Sequence, residues 1–203
     1  MSKRPFRPGA RRLAIVTALC GWAVLALQLS LLVDEMGMGE GLWRYLSFFT
    51  LLTNIGVAVV ASAMAMGKGG WLAGPRARLV MAVAIAFVGI VYWIALAPLY
   101  DPQGWALVAD IGLHTTQPLL FVATWYAARE GSLTTRDAAA AMGWPIAYAA
   151  YGLARGAVDG WYPYWFLDPS QQGWGGTAAS IALLSVAFFV LASVFVWLDR
   201  RAA

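Results

Sequence analysis

Charge is what this sequence has least of. Only 12% of its 203 residues are Asp, Glu, Lys or Arg, against 61% hydrophobic residues and a mean hydropathy of +0.67. So little polar surface cannot coat a water-soluble globule of this length, which makes a bilayer the expected solvent. The single cysteine, Cys20, excludes a disulfide within the chain and any cysteine metal cluster. The single histidine, His114, excludes a histidine-rich metal site and a haem held by two histidines of one chain, so neither metal nor cofactor is expected. Internal repeats, low-complexity tracts and long linkers are also missing, which leaves one membrane domain over residues 1–203. No basic stripe interleaved with aromatics accompanies the net charge of +4 and pI near 9.5, so nucleic acid is not an expected partner.

What is present is a series of long uncharged windows. A charge at the bilayer centre costs at least about 2.5 kcal/mol, and crossing the hydrocarbon takes roughly 20 apolar residues. The windows between charges predict an all-α, six-helix transmembrane bundle, with helices near 13–33, 43–66, 79–98, 105–128, 138–156 and 176–198. The first apolar run exceeds the roughly 7–15 residues of a signal-peptide core and is read as a retained helix. The longest segment outside the helices is the outer loop from Asp159 to Gly175, whose aromatic run Trp161–Phe166 suits an interfacial belt or a lid over a site.

Basic residues set the orientation. Lys3 to Arg12, Lys68, Arg76, Arg78, Arg129, Arg136, Arg200 and Arg201 fall on one side of such a bundle. Asp34, Glu35, Glu40, Asp101, Asp159 and Asp168 fall on the other, with only Arg44 and Arg155 among them. The positive-inside rule then places both termini in the cytoplasm.

Polarity inside a span marks function, and the fourth helix carries the costliest pair, Asp110 and His114. A spacing of four puts them on one face, where the carboxylate can orient the imidazole as a general base. Pro118 lacks the N–H that the His114 carbonyl would accept in an α-helix, which predicts a kink and a local cavity. On the second helix Ser47, Thr50 and Asn54 share a face that points inward, as site groups or as hydrogen-bond glue between helices. On the fifth, Tyr148, Tyr151 and Arg155 reach the same outer half, and Arg155 is read either as an interfacial anchor or as a partner for Asp110 or a substrate carboxylate.

Three segments, WRYLSFFTLLTN from Trp43, GLHTTQPLLF from Gly112 and GWYPYWFLD from Gly160, together resemble the androgen-induced family of multi-pass membrane hydrolases of fatty-acid esters of hydroxy fatty acids, and related prokaryotic six-helix proteins. The Gly-Leu-His-Thr-Thr run followed by proline is the most specific of them. The resemblance implies a membrane-embedded hydroxyl nucleophile at Ser47, where the family's hydrolases use threonine, and a histidine partner at His114. The implied chemistry is acyl transfer on a membrane lipid or fatty-acid ester. Asp110 as orienter rests on its position and not on the resemblance. Thr50, Asn54, Gln117, Tyr151, Arg155 and an outer-loop tyrosine beside Pro163 are candidates for substrate contact, with Gln117, Thr115, Thr116, Arg155 and that tyrosine as candidate oxyanion donors.

A proton-coupled transporter or sensor using Asp110 and His114 stays open, as does a non-catalytic scaffold. The excess of arginine over lysine and the high Ala and Gly content suggest a GC-rich bacterial source and hence an inner membrane. Substrate identity and oligomeric state are not encoded in these patterns.

Overall fold

The structure is a computed structural model, and it describes residues 6–67 and 70–202. Lys3, Arg4 and Lys68 of the basic side lie outside the described residues. Every described regular element is helical. Four helical stretches are long and apolar enough to cross a membrane, Pro8–Met36, Pro75–Leu99, Gly104–Ala127 and Pro169–Arg200, and a bent pair, Met38–Tyr45 with Phe49–Ala65, brings the number to five when it is taken as one span.

Local chemistry sets the boundaries. Helix α1 (Pro8–Met36) opens with proline in its first turn, where the missing N–H is not needed. It closes at Gly37, whose φ of 80° suits glycine. Helix α4 (Pro75–Val91) starts in the same way with Pro75. Helices α5 (Gly104–Ile111) and α6 (Gln117–Ala127) continue one another through a wide turn. Helix α7 (Thr135–Ala141) begins in a reciprocal cap between Thr134 and Asp137, and α8 (Gly143–Asp159) stops at left-handed Gly160. Helix α9 (Pro169–Arg200) is capped by the Asp168 side chain and kinks at Gly173.

The chain alternates between two ends of the bundle. At the basic end Arg11 donates to the Ala65 carbonyl, Arg78 to the Ala128 carbonyl and to Glu130, Arg129 to the Leu198 carbonyl, and Asp199 accepts from the Leu133 N–H. At the other end Trp43, Arg44, Arg155 and Asp159 meet. Small residues let the helices approach: Ala10, Ala14 and Ala18 of α1 and Ala61 of α3 (Phe49–Ala65) lie in one fully packed core. Large apolar side chains point outward instead, Leu119 at 68% exposure, Leu183 at 70% and Ile94 at 76%, as a lipid-facing surface demands.

Two of the expected helices are broken. The expected 43–66 helix is α2 (Met38–Tyr45) and α3, joined by an 80° bend over residues 46–48. The bend is held by α8. Arg155 donates to the Trp43 carbonyl at 2.8 Å, Tyr151 to the Leu46 carbonyl at 3.0 Å and Tyr148 to the Ser47 carbonyl at 2.9 Å. Side chains thus take over carbonyls that a continuous helix would satisfy itself, a condition for broken helices at membrane depth. The expected 138–156 helix is interrupted at Met142, between α7 and α8. The outer loop is shorter than 159–175, because Asp168 and Pro169 start α9 early.

Candidate functional site

Two prolines shape the site in the same way. Proline 118 removes the donor that the His114 carbonyl needs, and the helix answers with a π-helical turn over Gly112–Thr116, the Gln117 N–H reaching back five residues to the Gly112 carbonyl. Proline 98 stands in the same relation to a second wide turn, Tyr92–Leu96, where the Ala97 N–H reaches the Tyr92 carbonyl. The two turns face each other. Gly89 makes the approach possible, since a Cβ there would lie 3.2 Å from the His114 carbonyl oxygen.

His114 lies between the turns. Its ring stacks on Tyr92 with centroids 3.7 Å apart and planes 10° from parallel. Its Nδ1 is 3.0 Å from the Asp110 carbonyl oxygen and 3.1 Å from Asp110 Oδ1. Neither oxygen can donate while the carboxyl is ionised, so Nδ1 carries a proton, and in the neutral imidazole Nε2 keeps the lone pair. The Tyr92 hydroxyl donates to Asp110 Oδ2 at 2.6 Å, completing a Tyr92–Asp110–His114 chain. Trp93 Nε1 donates to Thr115 Oγ1 at 3.1 Å and ties the turns together a second time. The Asp110 and His114 side chains keep 18% and 13% of their surface open. Among the described residues Nε2 has no hydrogen-bond partner, and it is not sealed from the surface.

Asn54 repairs the backbone behind this group. Because the Gln117 N–H goes to Gly112, the Leu113 carbonyl loses its helical donor, and Asn54 Nδ2 lies 3.4 Å from it while also donating to the Thr50 carbonyl at 2.8 Å. Gln117 is fully buried against Gly21 and Ala58, with no partner for either amide atom among the described residues. Asn54 is therefore in the backbone of the site, and Gln117 is packed away from open volume.

The hydroxyl candidates border a buried aromatic cluster. Ser47, at 2% exposure, donates to the Trp43 carbonyl at 2.9 Å, and no hydrogen bond joins it to His114 among the described residues. Tyr148, which holds the Ser47 carbonyl, and Tyr92, which stacks on His114, belong to one buried cluster with Tyr164. Thr50 lines an apolar cavity of about 80 Å³ between α3, α4, α8 and α9, walled by Phe49, Tyr148, Tyr164 and Phe166. The Tyr164 hydroxyl accepts from the Thr50 N–H at 3.4 Å. Its neighbour across Pro163, Tyr162, packs on Gly156 instead, where a Cβ would come within 2.1 Å of its ring. Tyr151 and Arg155 are committed to the α2–α3 bend, and the Arg155 guanidinium stacks on Trp43 at 3.4 Å.

Tyr92 is the site residue that the sequence patterns did not single out. Its signal was available: Pro98 follows Tyr92 by the spacing at which Pro118 follows Gly112. Among the described residues no three His, Cys, Asp or Glu side chains form a metal-holding group. No family model, curated protein or solved structure matches the chain.

Proposed function

We propose that this chain is a six-span, N-in and C-in intramembrane hydrolase of lipid esters in which His114 is the general base. The observation that carries the reading is the imidazole held at Nδ1 by Asp110 with Nε2 uncommitted, within apolar helices. That is the arrangement of an oriented base. The resemblance of the Trp43, Gly112 and Gly160 segments to the androgen-induced hydrolases supports the same chemistry and assigns the nucleophile to Ser47. The alternation of chain ends and the collected arginines support six spans with the basic end in the cytoplasm of a bacterial inner membrane.

In the proposed reaction Ser47 Oγ leaves the Trp43 carbonyl, attacks the ester carbonyl carbon and gives its proton to His114 Nε2. The tetrahedral adduct then expels the alcohol, which takes that proton. Water, deprotonated by the same nitrogen, cleaves the acyl-serine and restores both groups. Asp110 stabilises the imidazolium in each half. The cavity at Thr50, bordered by α9, supplies an apolar lining against which part of an acyl chain would pack.

Turnover of a fatty-acid ester of a hydroxy fatty acid by purified protein tests the proposal. Ser47→Ala and His114→Ala are expected to lower it by about 10²-fold or more, with Ser47→Ala also losing labelling by a serine-reactive phosphonate. Equal labelling of wild type and Ser47→Ala would remove Ser47 from the mechanism.

The continuous Tyr92–Asp110–His114 chain, with no bond from Ser47 to it, favours a second reading as a proton-coupled carrier. Proteoliposome proton flux that depends on Asp110, without ester cleavage, would select that reading.

A further inference from the structure

At the opposite, basic end a second and larger hollow of about 1110 Å³ lies between α3, α4 and the start of α7. Its wall is apolar: Gly56, Val60, Val80, Met81 and Trp144. Trp144 is fixed there by its indole N–H, which donates to Thr53 Oγ1 at 3.0 Å, and α3 meets α4 so closely that a Cβ on Gly56 would lie 2.4 Å from Met81 Sδ. Along α3 the wall runs from Gly56 to Val60, about 6 Å at 1.5 Å per residue, and α4 continues it from Ala77 to Met81.

The rim is polar and carries excess positive charge. Arg76 uses Nε to bind Asp137, yet its side chain is 79% exposed, so its two terminal nitrogens point away from the pair. The other oxygen of Asp137 accepts from the Thr134 N–H at 2.8 Å and its hydroxyl at 2.7 Å, so the aspartate is fixed and engages Arg76 through Nε alone. Arg136, also on the rim and exposed, makes no ion pair among the described residues. Trp71, 81% exposed, stands at the same level, as an interfacial indole does.

We infer that this groove binds an anionic glycerophospholipid, the phosphate at Arg76 and Arg136 and one acyl chain along Gly56, Val60, Met81 and Trp144. The complementarity is double: two guanidiniums at the depth of a headgroup and an apolar trough directly beneath them. The site is separate from the His114 group, which lies toward the other end of the bundle, and it does not depend on the hydrolase reading.

Native mass spectrometry of the full chain from nanodiscs of equal phosphatidylglycerol and phosphatidylcholine reads the site directly. Phosphatidylglycerol is expected to be retained preferentially. Arg136→Gln should weaken it about fivefold, and the Arg76→Gln, Arg136→Gln pair about twenty-five-fold, from about 1 kcal/mol per arginine. Arg136 holds no other part of the fold, so its single substitution remains informative where the pair fails to fold. Val59→Trp, which fills the trough without touching the rim, should also displace the lipid. Equal retention of both lipids, retention by the Arg136 variant at the wild-type level, or displacement of phosphatidylglycerol by inorganic phosphate would each overturn the proposal, the last by making the site one for a free anion.

Discussion

The carboxamide of Gln117 shows how position alone misleads about a polar residue. It sits one turn after His114 and reads as a site group, yet it is fully buried, neither of its amide atoms is bonded among the described residues, and Gly21 exists opposite it to make room. A buried polar group without a partner costs about 1–3 kcal/mol. Gln117→Met, close to isosteric, is therefore expected to raise stability by roughly 1 kcal/mol, read as a higher thermal midpoint in detergent at unchanged activity. A lower midpoint would mean that the amide has a partner in the membrane. His114 and Asp110 are the opposite case. Their face-sharing was visible in the spacing, whereas the stacking of Tyr92, twenty-two residues before His114, was legible only through the matched proline spacing of the two turns.

Among the elements, the break between α2 and α3 depends on three side chains of α8, of which Tyr148 and Arg155 are buried. Tyr148→Phe keeps the ring but leaves the Ser47 carbonyl without this donor, and should cost about 1–3 kcal/mol of stability in chemical unfolding. Loss of less than a few tenths would show that the bend is held elsewhere. Next to the bend, Asp159 joins α8 to Trp43, and its carboxyl lies below the usual carboxylate range, first through the Trp43 indole N–H and then through the Trp161 backbone N–H. A lowered folded value means that the stabilisation is complete above the unfolded value of about 3.9 and is lost as pH falls through the folded one. The emission difference between wild type and Trp43→Phe should therefore stay constant from neutral pH down to about 4 and change only below it. A transition near pH 6 would contradict this assignment.

Across the whole molecule, the sixth helix begins seven residues before its expected start, whereas the all-helical class and the approximate extents of the first, third and fourth helices were legible, because charge spacing and apolar length act locally and the bilayer enforces both. The breaks at 46–48 and at Met142 were not. The first depends on Tyr148, Tyr151 and Arg155 donating across more than a hundred residues to carbonyls of the bend, and the second on Pro145, which has no N–H for the Ala141 carbonyl; charge spacing registers neither. Likewise the one-face stripe of Ser47, Thr50 and Asn54 was visible, but the bend between Ser47 and Thr50 sends those residues to different neighbours. Topology is testable through the single cysteine. In a Cys20→Ala background, Gln103→Cys is expected to react with an impermeant maleimide in intact cells, and Ser132→Cys only after the membrane is opened. The reverse labelling would invert the orientation.

The paired wide turns at Tyr92–Leu96 and Gly112–Thr116 also have a phase consequence. Each amounts to a single surplus residue within an otherwise α-helical path, so excising one residue from either would restore ordinary winding and turn everything on its outer side by about 100°. Excision at Thr116, for example, would swing Asp110 and His114, still four residues apart on one face, away from Tyr92 even though every amino acid of the group was still present. A deletion in this stretch is thus a substitution of geometry alone.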